Sequence, residues 1–118
     1  MGTDRFEAHD YYLMDEFLTE EQIMIRSAAR DWLKQDVSPI IEEYYEKGEF
    51  PSQIVPGLGA IGAFGPYIPV EYGGAGLDQI SYGLLMQELE RVDSGVRSTA
   101  SVQSSLVMYP IWKYGTEE

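Results

Sequence analysis

The chain has 118 residues, 44% of them apolar, and carries 20 Asp plus Glu against 8 Lys plus Arg, a formal net charge of −12. That length makes one domain with enough apolar surface for a core, and the absence of cysteine rules out a disulfide framework and thiolate chemistry. The acidic balance argues against nucleic acid and anionic lipid as partners, and no apolar run approaches the ~20 residues that span a bilayer.

Residues 1–17 are acidic and aromatic, with Phe6, Tyr11, Tyr12 and Phe17 among Asp4, Glu7, Asp10, Asp15 and Glu16. They are expected to form an extended arm with its aromatics docked on the body, disorder being the alternative for the first six. Met1-Gly2 begins like a myristoylation site, but Phe6 stands where Ser or Thr is required. No basic-then-apolar signal pattern opens the chain, so a cytoplasmic soluble protein is expected.

A helical domain is expected over residues 18–118. Thr19 reads as an N-cap with Gln22 at the capping-box position, and Glu20 and Glu21 suit the positive end of the helix dipole. Ile25, Ala28, Ala29, Trp32 and Leu33 then form one apolar stripe, with Arg26, Arg30 and Lys34 on the wet side. Ser38-Pro39 should break or kink this helix. Residues 40–47 make a second helical stretch, which Gly48 ends.

Gly57-Leu58-Gly59-Ala60-Ile61-Gly62 has the spacing of a dinucleotide fingerprint, and Asp78 follows about 20 residues from its start. The surroundings argue against that reading. No strand precedes the run, Pro56 abuts the first glycine, and Phe64-Gly65-Pro66 stops any long helix. Small residues that let a short helix pack closely are the better account. Residues 66–76 are a loop, and its glycines imply left-handed turns. A phosphate cradle is the sharper alternative there, without a nearby Lys or Arg. Asp78 caps the next helix, whose core side is Ile80, Leu84, Leu85, Leu89 and Val92, with Glu88 and Glu90 on different faces.

Asp93-Ser94-Gly95 interrupts the pattern, and either Asp93 or Ser94 can cap the last helix. That helix, about residues 96–114, sets Arg97, Ser101, Ser104 and Met108 on one face and Val96, Ala100, Gln103, Val107 and Ile111 on another. A row of hydroxyls behind one cation suits tight helix packing or a ligand wall, and spacing alone favours packing. Pro110 should remove one hydrogen bond and bend the helix, and Gly115 should stop it. Thr116-Glu117-Glu118 reads as the cap of a further helix, so the chain is expected to be cut rather than concluded. Without repeats or a convincing strand, the expected fold is an all-α bundle of four to five helices.

Chemistry carried by this chain alone is not apparent. His9 is the single histidine and lies in the arm, which argues against a Ser/His/acid triad. The acids lack metal-ligand spacing, and Glu88 and Glu90 do not form a paired-carboxylate device.

The run Glu90-Arg91-Val92-Asp93-Ser94-Gly95-Val96-Arg97-Ser98, with Ser101-Val102-Gln103-Ser104-Ser105-Leu106-Val107-Met108 after it, resembles the acyl-CoA dehydrogenase family, most of all its glutaryl-CoA dehydrogenase branch. Leu18-Thr19-Glu20-Glu21 and Tyr72-Gly73-Gly74-Ala75-Gly76-Leu77 carry further similarity, and Val96 departs from a frequent aromatic. The resemblance implies a helical N-terminal domain ahead of a middle β-domain and a C-terminal helical domain. It also implies FAD, a homotetramer, and electron-transfer flavoprotein or another acceptor. The implied reaction oxidises the Cα–Cβ bond of an acyl-CoA, and in the glutaryl branch also decarboxylates the product to crotonyl-CoA. The family's catalytic glutamate and main FAD contacts lie in the other two domains, so no catalytic or cofactor-binding residue is carried over.

What the resemblance does carry over is the far end of the acyl pocket, with Arg97 facing the substrate's distal carboxylate and Glu90, Ser98 and Ser101 around it. A guanidinium suits a carboxylate, and Glu90 could orient it in an empty pocket. The bland alternative is a surface or interdomain salt bridge, worth little. Two other readings stand beside this one: a non-catalytic helical assembly module, and the same domain from a dehydrogenase or oxidase of different acyl-chain preference.

Overall fold

Thr19 opens the first helix as its sequence implies. Its Oγ1 accepts from the Gln22 amide at 3.2 Å, and Gln22 Oε1 accepts from the Thr19 amide at 2.9 Å. The computed structural model of the chain describes residues 7–118. Phe6, Asp4 and the Met1-Gly2 start lie outside the described residues.

Helix α1 spans Glu20–Trp32. Ser38-Pro39 does not break it. A π-helical turn, Leu33–Val37, carries the rod without a gap into α2, Ser38–Lys47, with Pro39 in the first turn of α2. The wider i→i+5 turn accommodates a residue that cannot donate and whose ring would clash one turn back. Gly48 ends α2 at φ 66°, and the Gly48 and Glu49 amides donate to the Tyr45 and Tyr44 carbonyls.

After a 3-10 turn, α3 covers Val55–Ala60. A Cβ at Gly57 would overlap the Trp32 indole, so α3 lays its backbone directly on that ring. Close packing, not dinucleotide binding, accounts for this glycine. Helix α4 spans Gln79–Val92, α5 Ser94–Ser101 and α6 Tyr109–Tyr114, and a second π-helical stretch, Val102–Met108, joins α5 to α6. Pro110 sits in the first turn of α6 just as Pro39 sits in α2. The described residues thus form four helical rods: α1–α2, α3, α4 and α5–α6. The all-α expectation holds. None of these helices is long and apolar enough to cross a membrane.

Helices α1 and α4 start together. Asp78 Oδ1 caps α4 by accepting from the Ser81 amide at 2.7 Å, and its Oδ2 accepts from Gln22 Nε2 at 2.8 Å. Further along, Arg30 meets Glu88, so the two helices run parallel. Below this seam Leu33, Val37, Leu58, Leu89, Val96 and Ala100 make one buried cluster. Burying each large aliphatic there stabilises by about 1.5–3 kcal/mol. The assembly measures 47 × 39 × 18 Å, under two helix diameters in its thinnest direction.

Several faces differ from the helical-wheel reading. In α1 and its π turn the buried line is Gln22, Ala29, Leu33 and Val37, while Ala28 is exposed. Arg26 and Arg30 are half-buried rather than wet, because each has an acid to meet. Arg26 grips Asp15 through Nη1 at 2.6 Å and Nη2 at 2.8 Å, and Arg30 grips Glu88. In α4, Ser81, Leu85, Glu88 and Leu89 are buried while Ile80 is exposed, since α1 offers polar groups here. Among the described residues the aromatics of the arm do not dock: Tyr11, Tyr12 and Phe17 are exposed. The Asp15–Arg26 pair holds that segment, and Asp10 Oδ1 accepts from the Met14 amide at 2.9 Å.

Candidate functional site

The chain turns from α4 into α5 through a single residue. Asp93 is extended, at φ −164° and ψ 131°, and its Oδ1 accepts from the Val96 amide at 2.9 Å. Asp93 therefore caps α5, leaving the Ser94 hydroxyl for other work. The corner brings the last turn of α4 beside the first turn of α5, and Glu90 meets Arg97 across it.

Arg97 Nε donates to Glu90 Oε2 at 2.6 Å, and Nη1 donates to Ser101 Oγ at 3.1 Å, one turn along α5. Ser101 Oγ in turn donates to the Ser98 carbonyl at 3.3 Å. Ser94 Oγ donates to the other Glu90 oxygen, Oε1, at 2.6 Å. Among the described residues, Arg97 Nη2 has no hydrogen-bond acceptor. The Arg97 side chain is 35% exposed and that of Glu90 47%, so the pair is held but open to one side. The Ser94 hydroxyl first, and the Arg97 guanidinium second, hold the Glu90 carboxyl below its ordinary range.

Of the four residues singled out in the sequence, Glu90, Arg97 and Ser101 join through their side chains, while Ser98 contributes its carbonyl to this network. Ser98 helps line an open groove of about 450 Å³ with Phe64, Thr99, Val102 and Gln103. Glu90 and Ser94 border a second groove of about 410 Å³.

Ser104 does not share the Arg97 face. It is fully buried, and its Oγ accepts from the Gly65 amide at 2.8 Å, with the Ala100 and Ala63 carbonyls at 2.7 and 3.1 Å. A π-helical turn takes more residues than an α turn, so the buried line drifts to Val96, Ala100 and Ser104. Gln103 and Val107, which α periodicity places on the apolar face, meet solvent instead. Pro110 is the signal in the sequence, since its missing amide requires the helix upstream to widen. The sequence presents Ser94 only as a possible cap, and its bond to Glu90 depends on the corner.

Glu88 and Glu90 turn to different neighbours, as expected. Glu88 is buried and accepts from Arg30 Nε at 2.9 Å and Nη2 at 2.5 Å. The glycine loop is not a phosphate cradle. The Ile68, Tyr72, Gly73, Gly74, Gly76 and Leu77 amides donate to carbonyls of residues 65–70, so they are not turned toward a ligand. Gly73 and Gly76 adopt φ 85° and 64°, as the turns require. A flavin diphosphate does not fit this loop.

The described residues form an all-helical domain whose helices α1 and α4 run parallel. Residues 19–118 match the family profile described as acyl-CoA dehydrogenase, N-terminal domain. The chain belongs to the acyl-CoA dehydrogenase family, in the part that forms its N-terminal domain. An acyl-CoA dehydrogenase of Bacillus subtilis is 37% identical over 101 residues, 86% of this chain and 27% of that protein. The caffeyl-CoA reductase–Etf complex subunit CarC of Acetobacterium woodii is 40% identical over 104 residues, again 86% and 27%. A glutaryl-CoA dehydrogenase from Mycobacterium smegmatis, solved in complex with FADH2, superimposes with a TM-score of 0.86 at 36% identity, covering 90% of this chain and 27% of that one. The chain therefore spans about a quarter of the length of these relatives.

Proposed function

We propose that this domain forms the distal acyl wall of an FAD-dependent acyl-CoA dehydrogenase, and that Arg97 receives a carboxylate at the far end of the acyl chain, as glutaryl-CoA offers. One observation carries the proposal: a guanidinium tied at Nε and Nη1 but without an acceptor at Nη2 among the described residues. An aliphatic acyl tail needs no cation beside it, whereas a dicarboxylate monoester does. Glu90 and Ser101 orient the guanidinium, and Ser98 lines a groove with Phe64 and Gln103. The glutaryl-CoA dehydrogenase likeness supports this substrate class.

FAD, an electron-transfer flavoprotein or similar acceptor, and a homo-oligomer belong to the proposal for the whole protein, as do a β-domain and a second helical domain after an N-terminal arm of residues 1–17. The relatives solved with FADH2 and named for an Etf complex support the first two. The Ile68, Tyr72, Gly73, Gly74, Gly76 and Leu77 amides of the glycine loop are taken up within the loop, and the role proposed for this chain's residues is to bind and orient the acyl end. Taking the α-proton falls to a base outside this chain. Mixed with FAD, an acceptor and glutaryl-CoA, the 118-residue chain should give no turnover, and turnover would overturn that division of labour. Titrated with glutaryl-CoA, it should show the Arg97 side-chain nitrogen resonances moving, with butyryl-CoA leaving them in place. Equal responses to both would remove Arg97 from the substrate site.

A second reading has its own support. Val102, Leu106, Ile111 and Tyr114 are exposed along the α5–α6 rod of an 18 Å-thick molecule. Such a face favours self-association as an assembly module. Sedimentation over a range of concentrations distinguishes the two, since a monomer throughout argues against assembly.

A further inference from the structure

We propose that Ser94 is a positioning residue for Arg97, acting through Glu90 to keep one edge of the guanidinium open. The inference rests on the reading that Arg97 meets a ligand carboxylate, and it comes from comparing three ion pairs in this one chain.

Arginine and carboxylate frequently close into a two-pronged fork. Arg26 and Asp15 do so, with Nη1 and Nη2 each on its own oxygen at 2.6 and 2.8 Å. Arg30 and Glu88 do so through Nε and Nη2 at 2.9 and 2.5 Å. Arg97 and Glu90 do not. Arg97 Nε reaches Oε2 at 2.6 Å, but Oε1, the oxygen that would complete the fork on Nη2, accepts from Ser94 Oγ at 2.6 Å. In this reading, the Ser94 bond is what draws Oε1 away from Nη2.

The hydroxyl is available for this because Asp93 already caps α5. The arrangement has two consequences. Glu90 still neutralises and aims the guanidinium, so the cation is preorganised. Yet Nη2 stays open to an incoming carboxylate, which need not displace Glu90 first. The low proton affinity of Glu90, which Ser94 does most to produce, keeps this carboxylate charged and in place well below neutral pH.

The test uses the 118-residue chain with ¹⁵N-labelled arginine, the variants Ser94→Ala and Ser94→Thr, and monomethyl glutarate as the probe. Without probe, Ser94→Ala should let Glu90 close onto Nη2. Rotation of the Arg97 guanidinium should then slow, and its Nη2 protons should move to the hydrogen-bonded region. Ser94→Thr, which keeps the hydroxyl, should look like the unmodified chain. With probe, Ser94→Ala should bind about fivefold more weakly, the scale of one hydrogen bond, and Ser94→Thr should recover the loss. Unchanged Arg97 rotation in Ser94→Ala overturns the role of Ser94, whatever the probe does. Slowed rotation in Ser94→Ala, with no variant responding to the probe, upholds the control by Ser94 and overturns the acyl-carboxylate reading.

Discussion

Helix α4 carries two acid–arginine pairs within one turn, and they are built for opposite ends. Glu88 is 3% exposed and takes a fork from Arg30 across the parallel α1–α4 seam. Glu90 is 47% exposed, shares its oxygens between Ser94 and Arg97, and leaves one guanidinium nitrogen without an acceptor among the described residues. The first pair is closed, and its chemistry goes into fixing α1 against α4. The second is preorganised but unfinished, which is what a binding group needs. Burial separates the two pairs, and so does the number of prongs that each carboxylate gives its arginine.

The largest expected effect falls on the closed pair. Glu88→Ala removes the acceptor of Arg30 and of Arg91, whose Nε lies 3.4 Å from Glu88 Oε2, and should lower stability by about 2–4 kcal/mol, seen as a fall in denaturant midpoint at constant slope. A midpoint unchanged within error would mean that Glu88 does not hold the seam. Next in size is Ser104→Ala, which removes the buried acceptor of the Gly65 amide and should cost about 1–3 kcal/mol in the same measurement. A neutral outcome would show that another acceptor replaces the hydroxyl. By contrast, Glu90→Gln should leave the midpoint near that of the unmodified chain while weakening monomethyl glutarate binding. The reverse pattern would invert the roles assigned to the two pairs.

The smallest effect concerns pH. Asp15 is held below its ordinary range by the Arg26 hydrogen bonds, Asp78 by the Ser81 amide and Gln22, and Glu90 by Ser94 and Arg97. In each case the folded value lies below the unfolded one, so the chain binds fewer protons when folded. This contribution is fully present above about pH 5, clear of the unfolded values, and is lost as pH falls through the depressed folded values. Denaturation midpoints should therefore be flat from pH 7 to about 5 and decline below about 4. A decline already complete at pH 5 would contradict these directions.

Local signals are legible in the sequence, and those depending on helix pitch are not. The Thr19–Gln22 box, the Asp78 cap and the close-packed Gly57 each involve a few neighbouring residues or a steric necessity. The Arg97–Ser101 contact follows from one helical turn, and Glu90 lies just across a one-residue corner. The departures lie near the two prolines. Pro39 and Pro110 imply broken or bent helices, but each follows a π-helical stretch that keeps the rod continuous and shifts the buried line downstream. Ser104 thus moves into the core while Gln103 and Val107 move out. Arg26 and Arg30 escape the helical wheel for another reason: their partners, Asp15 and Glu88, are distant in sequence, and no periodicity reveals them.

The central claim is that the open edge of Arg97 meets a carboxylate at the far end of an acyl chain. The most direct measurement is kcat/KM for glutaryl-CoA and for butyryl-CoA in the complete enzyme that carries this domain, with and without Arg97→Met. The account predicts a loss about 10- to 100-fold larger for glutaryl-CoA than for butyryl-CoA, the scale of a charge-assisted hydrogen bond. Equal losses for the two substrates would contradict it.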